Sequence, residues 1–247
     1  MAKKKSSILI IGDSCLDVFK YCDVNRLCPD LPVPVLNERE EVSNGGMAMN
    51  VHNNILSLKQ PCDIVTNANW KSVTKTRFVH LDSNHTFLRA DSNHKIERIN
   101  LNDVKYDYDL IVISDYDKGF LEAEDIAHIC SNHDNVFIDS KKLMGDWIRG
   151  ARYIKINDVE YRRSCEYIDN NIQNKLIRTK GSEGCTFMGK NYKVKKADIK
   201  DVSGAGDTFM AGLVVKFLES NNIEKSIKFA NQCASEVVTK RGVNTIK

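Results

Sequence analysis

The chain has 247 residues, 42% of them apolar and 28% charged. That is the balance of a soluble globular protein with a core large enough to need no staples. Lys and Arg number 36 against 33 Asp and Glu, and a net charge of +3 is too weak a field to argue for nucleic acid. No apolar run approaches the ~20 residues that span a bilayer, and lysines 3–5 read as a solvated tail rather than the start of a signal peptide. A cytoplasmic protein with neither a membrane nor a nucleic-acid partner is therefore expected.

In chain order, ILIIGD (8–13), DLIVISD (109–115), NVFIDS (135–140), YIKIN (153–157) and KLIRT (175–179) are short and apolar nearly throughout. Continuous apolarity, rather than alternation, suits strands covered on both faces, as in a parallel sheet. Several of them end in Asp, Ser, Asn or Thr, where the carboxyl ends of parallel strands open onto a ligand crevice. Helices fall between them. Ala48, Val51, Ile55 and Leu58 share one face, residues 121–132 are helical by composition, and a last helix follows Asn221-Asn222 and stops near Gly242. The fold class this predicts is α/β, three layers with a mostly parallel central sheet.

Two segments break the alternation. Residues 33–43, charged and preceded by Pro32, read as an exposed edge strand or hairpin, and residues 74–91 as two strands joined by the Asp82-Ser83-Asn84 turn. Together they predict a small β-sheet lid on a single domain spanning 1–247. The eight cysteines form no Cys-x-x-Cys pair and no zinc spacing, so they are expected to be reduced and mostly buried.

Chemistry is concentrated in DVSGAGDTFMAGL (201–213). Gly204, Ala205 and Gly206 stand where a helix begins, and a helix tip exposes unpaired N–H groups and about half a positive charge. Without side chains there, an anion can approach the backbone closely. Asp207 then sits beside an anion pocket as a group able to accept a proton. Donors around a migrating phosphoryl group, with a carboxylate orienting the attacking hydroxyl, are what phosphoryl transfer to an alcohol requires. The same residues also read as an ordinary helix start, with Ser203 or Asp207 as its cap and the glycines relieving packing. On these residues alone both readings stand.

DVSGAGDTFMAGL resembles the C-terminal signature of the ribokinase-like (PfkB) carbohydrate kinases. Residues 11–51, IGDSCLDVFKYCDVNRLCPDLPVPVLNEREEVSNGGMAMNV, resemble the opening of the bacterial D-glycero-D-manno-heptose 7-phosphate kinases of that family. TKTRF (74–78), FLRAD (87–91), ISDYDKG (113–119), IDSKK (138–142), INDVE (156–160) and TKGSEG (179–184) follow in the expected order. The resemblance implies an ATP- and Mg²⁺-dependent kinase with Asp207 as catalytic base and the 204–206 backbone as anion hole. It implies that Asp17, Gly45, Gly46 and Asn50 hold sugar hydroxyls, and that Asn157 and Glu160 organise Mg²⁺ and phosphates. Thr179, Gly181 and Gly184 match a nucleotide-phosphate loop, and Asn231 lies where the base is accommodated or is a solvated helix residue.

A sugar already bearing a phosphate also needs cations, and Arg77, Arg89, Lys118 and Lys141 are candidates, each otherwise a surface charge. The chain is short for this family, being compressed at 58–73, between FLRAD and Tyr108, and between Glu160 and Lys175. Substrate identity is accordingly the part of the resemblance most exposed to change. A kinase for another sugar, sugar phosphate or nucleoside is the alternative, as is a non-catalytic nucleotide- or sugar-phosphate-binding protein. Lid sheets in relatives often pair between subunits, which makes a homodimer through the lid a further expectation.

Overall fold

The computed structural model describes residues 7–195 and 197–246; lysines 3–5 lie outside the described residues. Five parallel strands carry the apolar runs: β1 (Ile8–Gly12), β7 (Leu110–Asp115), β8 (Val136–Ser140), β9 (Tyr153–Asn157) and β10 (Leu176–Thr179). β4 (Cys62–Val65) joins them in parallel beside β1, while β11 (Cys185–Phe187) and β12 (Lys190–Tyr192) close the far edge antiparallel. The eight-stranded order is β12-β11-β10-β9-β8-β7-β1-β4.

Alternate residues of these strands enter two different cores. Ile8, Ile10, Val112, Phe137 and Ile177 pack against α1 (Ala48–Ser57), α5 (Ala205–Ser220) and α6 (Ile223–Val237). Leu9, Ile11, Ile111, Ile113, Ile138 and Ile154 pack on the opposite face with Ile126 and Ile129 of α2 (Ala123–Asn132). α3 (Asp158–Ser164) and α4 (Asn170–Gln173) lie on that second face too, through Tyr161 and Ile172. The three layers expected for apolar parallel strands are present, and α5 is buried along nearly its whole length because sheet, α1 and α6 enclose it.

A second sheet has the order β3-β2-β5-β6, from β2 (Ser14–Asp23), β3 (Asn37–Met47), β5 (Thr74–His80) and β6 (Thr86–Asp91). β5 and β6 are the hairpin expected over 74–91. The edge strand expected at 33–43 is shifted, because β3 begins at Asn37, after the prolines, and runs on to Met47. The strand missing from the expectation is β2, a central member that pairs with β3 and, across some 60 residues, in parallel with β5. The last helix is also shorter than expected. It ends at Val237 instead of near Gly242, because the backbone N–H groups of Lys200 and Asp201 both donate to the Val238 carbonyl. Seven of the cysteines are buried or half-buried, all eight are unpaired, and Cys165 is exposed. Among the described residues no helix is long and apolar enough to cross a membrane.

Candidate active site

α5 begins at Gly204, which takes the left-handed conformation at φ +77°. A Cβ there would also stand 2.7 Å from the Asn50 amide nitrogen, so glycine is required twice over. No side chain caps this helix. Ala205 N donates to the Val202 carbonyl, and the N–H groups of Gly206 and Asp207 are left to an external partner. Asp207 does not cap either. It is 4% exposed, its Oδ2 accepts from Asn50 Nδ2 at 2.8 Å and its Oδ1 from the Tyr116 hydroxyl at 2.6 Å. Burial is the main force on its acidity and raises its pKa above the ordinary carboxylate value, while the two hydrogen bonds pull it back. The helix-cap reading thus does not hold: neither Ser203 nor Asp207 caps α5, and the Asp207 carboxylate is held by Asn50 and Tyr116 instead.

Asn50 comes from the first turn of α1, and the backbone leading into that helix is unusual. Gly45 and Gly46 precede Met47, the last residue of β3, which takes φ +61°. A Cβ on Gly46 would fall 2.2 Å from Asp17 Oδ2, and one on Gly45 the same distance from the Met49 side chain. The paired glycines therefore let β3 run against the Asp17 carboxylate on neighbouring β2. Arg77 on β5 donates to Asp17 Oδ1 at 2.7 Å. Gly46 thus lies against Asp17, and Asn50, a few residues on, reaches Asp207.

Two site residues carried no weight in the sequence. Tyr116 follows β7, and its ring is flanked by the amines of Lys75 at 5.0 Å and Lys141 at 5.3 Å from its centroid. Lys155, in the middle of β9, is 3% exposed, and its ammonium donates to Asp139 Oδ2 at 2.5 Å. That ammonium lies 3.0 Å from where a Cβ on Gly206 would stand, which places a buried cation at the helix tip. A lone lysine inside an otherwise apolar strand was its signal, since a strand covered on both faces tolerates a charge only with a partner.

Among the residues matched to nucleotide and metal, Asn157 and Glu160 form a reciprocal cap at the start of α3. Asn157 Oδ1 accepts from Val159 N and Glu160 N, and Glu160 Oε2 accepts from Asn157 N at 2.7 Å. Glu160 Oε1 takes both Lys141 Nζ and Asn157 Nδ2. Lys141 also faces Asp139, and against the cost of burial these two carboxylates hold its pKa above the ordinary lysine value, keeping it charged.

Among the described residues no three His, Cys, Asp or Glu side chains cluster as a metal cage. The donors suit a Mg²⁺ ion held by water and phosphate oxygens, with Glu160 behind that shell, better than one ligated directly by protein. Thr179 ends β10 beside Asn157 and bonds the Ile156 carbonyl. Gly181 and Gly184 shape the β10–β11 hairpin. Gly181 (φ +56°) borders open space, whereas a Cβ on Gly184 (φ +89°) would strike the Tyr192 carbonyl. Asn231 is not solvated: buried on α6, it donates to that same carbonyl at 2.9 Å and ties α6 to β12. Of the four proposed phosphate cations, Arg89 is bound twice by Asp91, Arg77 by Asp17 and Lys141 by Glu160. Lys118 alone of the four keeps an exposed, unpaired side chain among the described residues.

With this geometry in place, a family model described as pfkB family carbohydrate kinase matches residues 54–247. The chain belongs to that family. Its members are phosphotransferases acting on sugars, and Asp207 with its helix tip lies inside the matched range, whereas Asp17 to Asn50 precede it. The bifunctional protein HldE of Hydrogenovibrio crunogenus is 28% identical over 98% of this chain, which spans 61% of that relative's length. Ribokinase from Thermotoga maritima superposes with a TM-score of 0.75 at 14% identity, covering 96% of this chain and 94% of that one. Arabidopsis thaliana ribokinase, complexed with ribose and ATP, gives 0.70 at 11% identity, covering 97% and 94%. Both share the fold of this pfkB kinase.

Proposed function

We propose that this pfkB-family chain transfers the γ-phosphoryl group of ATP to a sugar hydroxyl, with the anomeric hydroxyl of a heptose 7-phosphate as acceptor. The observation that carries the transfer chemistry is the buried Asp207 carboxylate at an uncapped helix tip, positioned by Asn50 from the opposite end of the chain and by Tyr116. Asp207 orients the acceptor hydroxyl and takes its proton as the new P–O bond forms; a raised pKa suits that task. The N–H groups of Gly206 and Asp207 and the Lys155 ammonium face the migrating phosphoryl and offset its charge. Asp17, Gly45, Gly46 and Asn50 bind the sugar, and the β2–β3–β5–β6 sheet covers it, excluding water that would otherwise receive the phosphoryl group.

ATP enters along Thr179, Gly181 and Gly184, with Asn231 holding the wall behind the base. Mg²⁺, when bound with ATP, supplies charge neutralisation at the phosphates next to Asn157 and Glu160. The domain is read as one unit with the second sheet as its lid, working in the cytoplasm, and two chains pair through the open lid edge at β3.

The heptose assignment rests on the likeness of residues 11–51 and on the relatives named HldE. A panel assay tests it: ATP with D-glycero-D-manno-heptose 7-phosphate, fructose 6-phosphate, ribose and a nucleoside. The heptose phosphate is expected to give the highest kcat/KM by at least tenfold. A preference for ribose or nucleoside would keep the transfer chemistry and replace the acceptor. Tight sugar-phosphate binding with no transfer to any acceptor would make the chain a binding protein.

A further inference from the structure

A cavity of about 890 Å³ opens between the lid and the loop after β7, lined among others by Lys75, Asp91, His94, Lys95 and Lys118. Its size suits a phosphorylated sugar. Lys75, on β5, is 8% exposed, yet among the described residues no carboxylate oxygen lies within 4 Å of its ammonium and no hydrogen bond satisfies it. Its register neighbours on either side are Asp17 and Asp91, and each is already committed to an arginine, to Arg77 and Arg89 respectively. What Lys75 does face is the Tyr116 ring, 5.0 Å from its centroid. A buried ammonium without a counter-ion is costly, and an aromatic face offsets only part of that cost. A charge kept in such a place is completed by a ligand.

We propose that Lys75 is the specificity-determining cation of the acceptor pocket and receives, together with Lys118, a phosphomonoester carried by the sugar. This rests on the reading of Asp207 as the transfer centre. Tyr116 sets the geometry, because its hydroxyl is bonded to Asp207 while its ring faces Lys75. A sugar whose reacting hydroxyl meets Asp207 and which extends past that ring brings its far end to Lys75. The phosphate is therefore on the carbon remote from the reacting hydroxyl. Two cations lining one cavity match a dianion, and the arginines nearby, being paired, serve to hold the lid's own carboxylates.

The test compares wild type with Lys75→Met, which keeps the stem and removes the charge, and with Lys75→Arg. Each is assayed with D-glycero-D-manno-heptose 7-phosphate and with the unphosphorylated heptose. Lys75→Met is expected to raise KM for the ester roughly 30-fold or more while changing KM for the parent sugar less than twofold, with Lys75→Arg recovering part of the loss. Equal effects on both sugars, or none, would overturn the assignment. Acetylation of Lys75 in the wild-type protein, followed by mass spectrometry, decides the matter even if the variant does not fold. Protection by the ester and not by the parent sugar supports the subsite, and equal labelling with both refutes it. Ester binding that depends on Lys75 in a protein that transfers no phosphoryl would uphold the subsite and remove the kinase reading instead.

Discussion

The Tyr116 hydroxyl and the Asn50 amide each donate to one oxygen of Asp207, so the carboxylate is fixed at both ends before any substrate arrives. Burial raises the pKa of Asp207 and the Tyr116 bond lowers it, so deleting that bond lets it rise further. Tyr116→Phe is therefore expected to move the acid limb of the kcat/KM–pH profile to higher pH, with maximal activity falling about tenfold. An unmoved limb would show that the bond does not act on Asp207. The linked effect on stability has the opposite sense to that of a salt-bridged acid. With its folded-state pKa above the unfolded value, Asp207 favours folding at low pH, and that contribution is lost as pH rises through the folded pKa. Asp207→Asn should accordingly melt no lower than wild type at pH 8.

At this scale Gly204 and Asp207 stand out in the sequence through helix-start chemistry and Asn50 through motif order, and the structure brings the three together. Lys155 and Tyr116 stayed hidden. The first looks like a stray charge in a strand and the second like a loop aromatic, and only packing brings them to the helix tip.

Elements were legible where burial imposed one pattern on a short run. β1, β7, β8, β9 and β10 are covered on both faces and read as unbroken apolar stretches. β2 was not, since Asp17, Lys20 and Asp23, spaced by three, break the strand alternation until β5, distant in sequence, pairs with it. The end of α6 was misplaced for the same reason, a carbonyl captured by residues 200 and 201.

That capture belongs to a wider fastening of the lid. Arg241 donates to the Leu81 and Asp82 carbonyls, Asn84 donates to the Lys200 carbonyl, and Asp201 Oδ2 accepts from Gly242 N. The tip of the β5–β6 hairpin is thus bolted to the two segments that flank α5 and α6. Arg241→Ala removes two of these bonds, and a loss of about 1–3 kcal/mol is expected. The functional mark should be a higher ratio of ATP hydrolysis to sugar phosphorylation, measured as ADP released against sugar phosphate formed. An unchanged ratio would mean that the lid stays shut without the latch.

Over the whole molecule, compression has been taken from the periphery. The short stretch at 58–73 keeps β4 on the sheet edge and then turns directly into β5, and buried Asn67 still accepts from Ser14 N to tie that stretch to the lid. The layers around α5 are intact, so the short stretches lie away from the helix that carries Asp207. Length and composition disclosed the class of fold but not this distribution, which depends on contacts between distant segments.

The central claim is that two ends of the chain, residues 17–50 and 204–207, meet to align an acceptor hydroxyl with a phosphoryl group. Its most direct test is single-turnover phosphorylation of D-glycero-D-manno-heptose 7-phosphate by wild type and Asp207→Asn, with ATP affinity and melting temperature measured on the same samples. The variant should fold and bind ATP as wild type does while the transfer rate falls by about 10²–10⁴-fold. A folded, nucleotide-binding Asp207→Asn protein that transfers phosphoryl within threefold of the wild-type rate would contradict it.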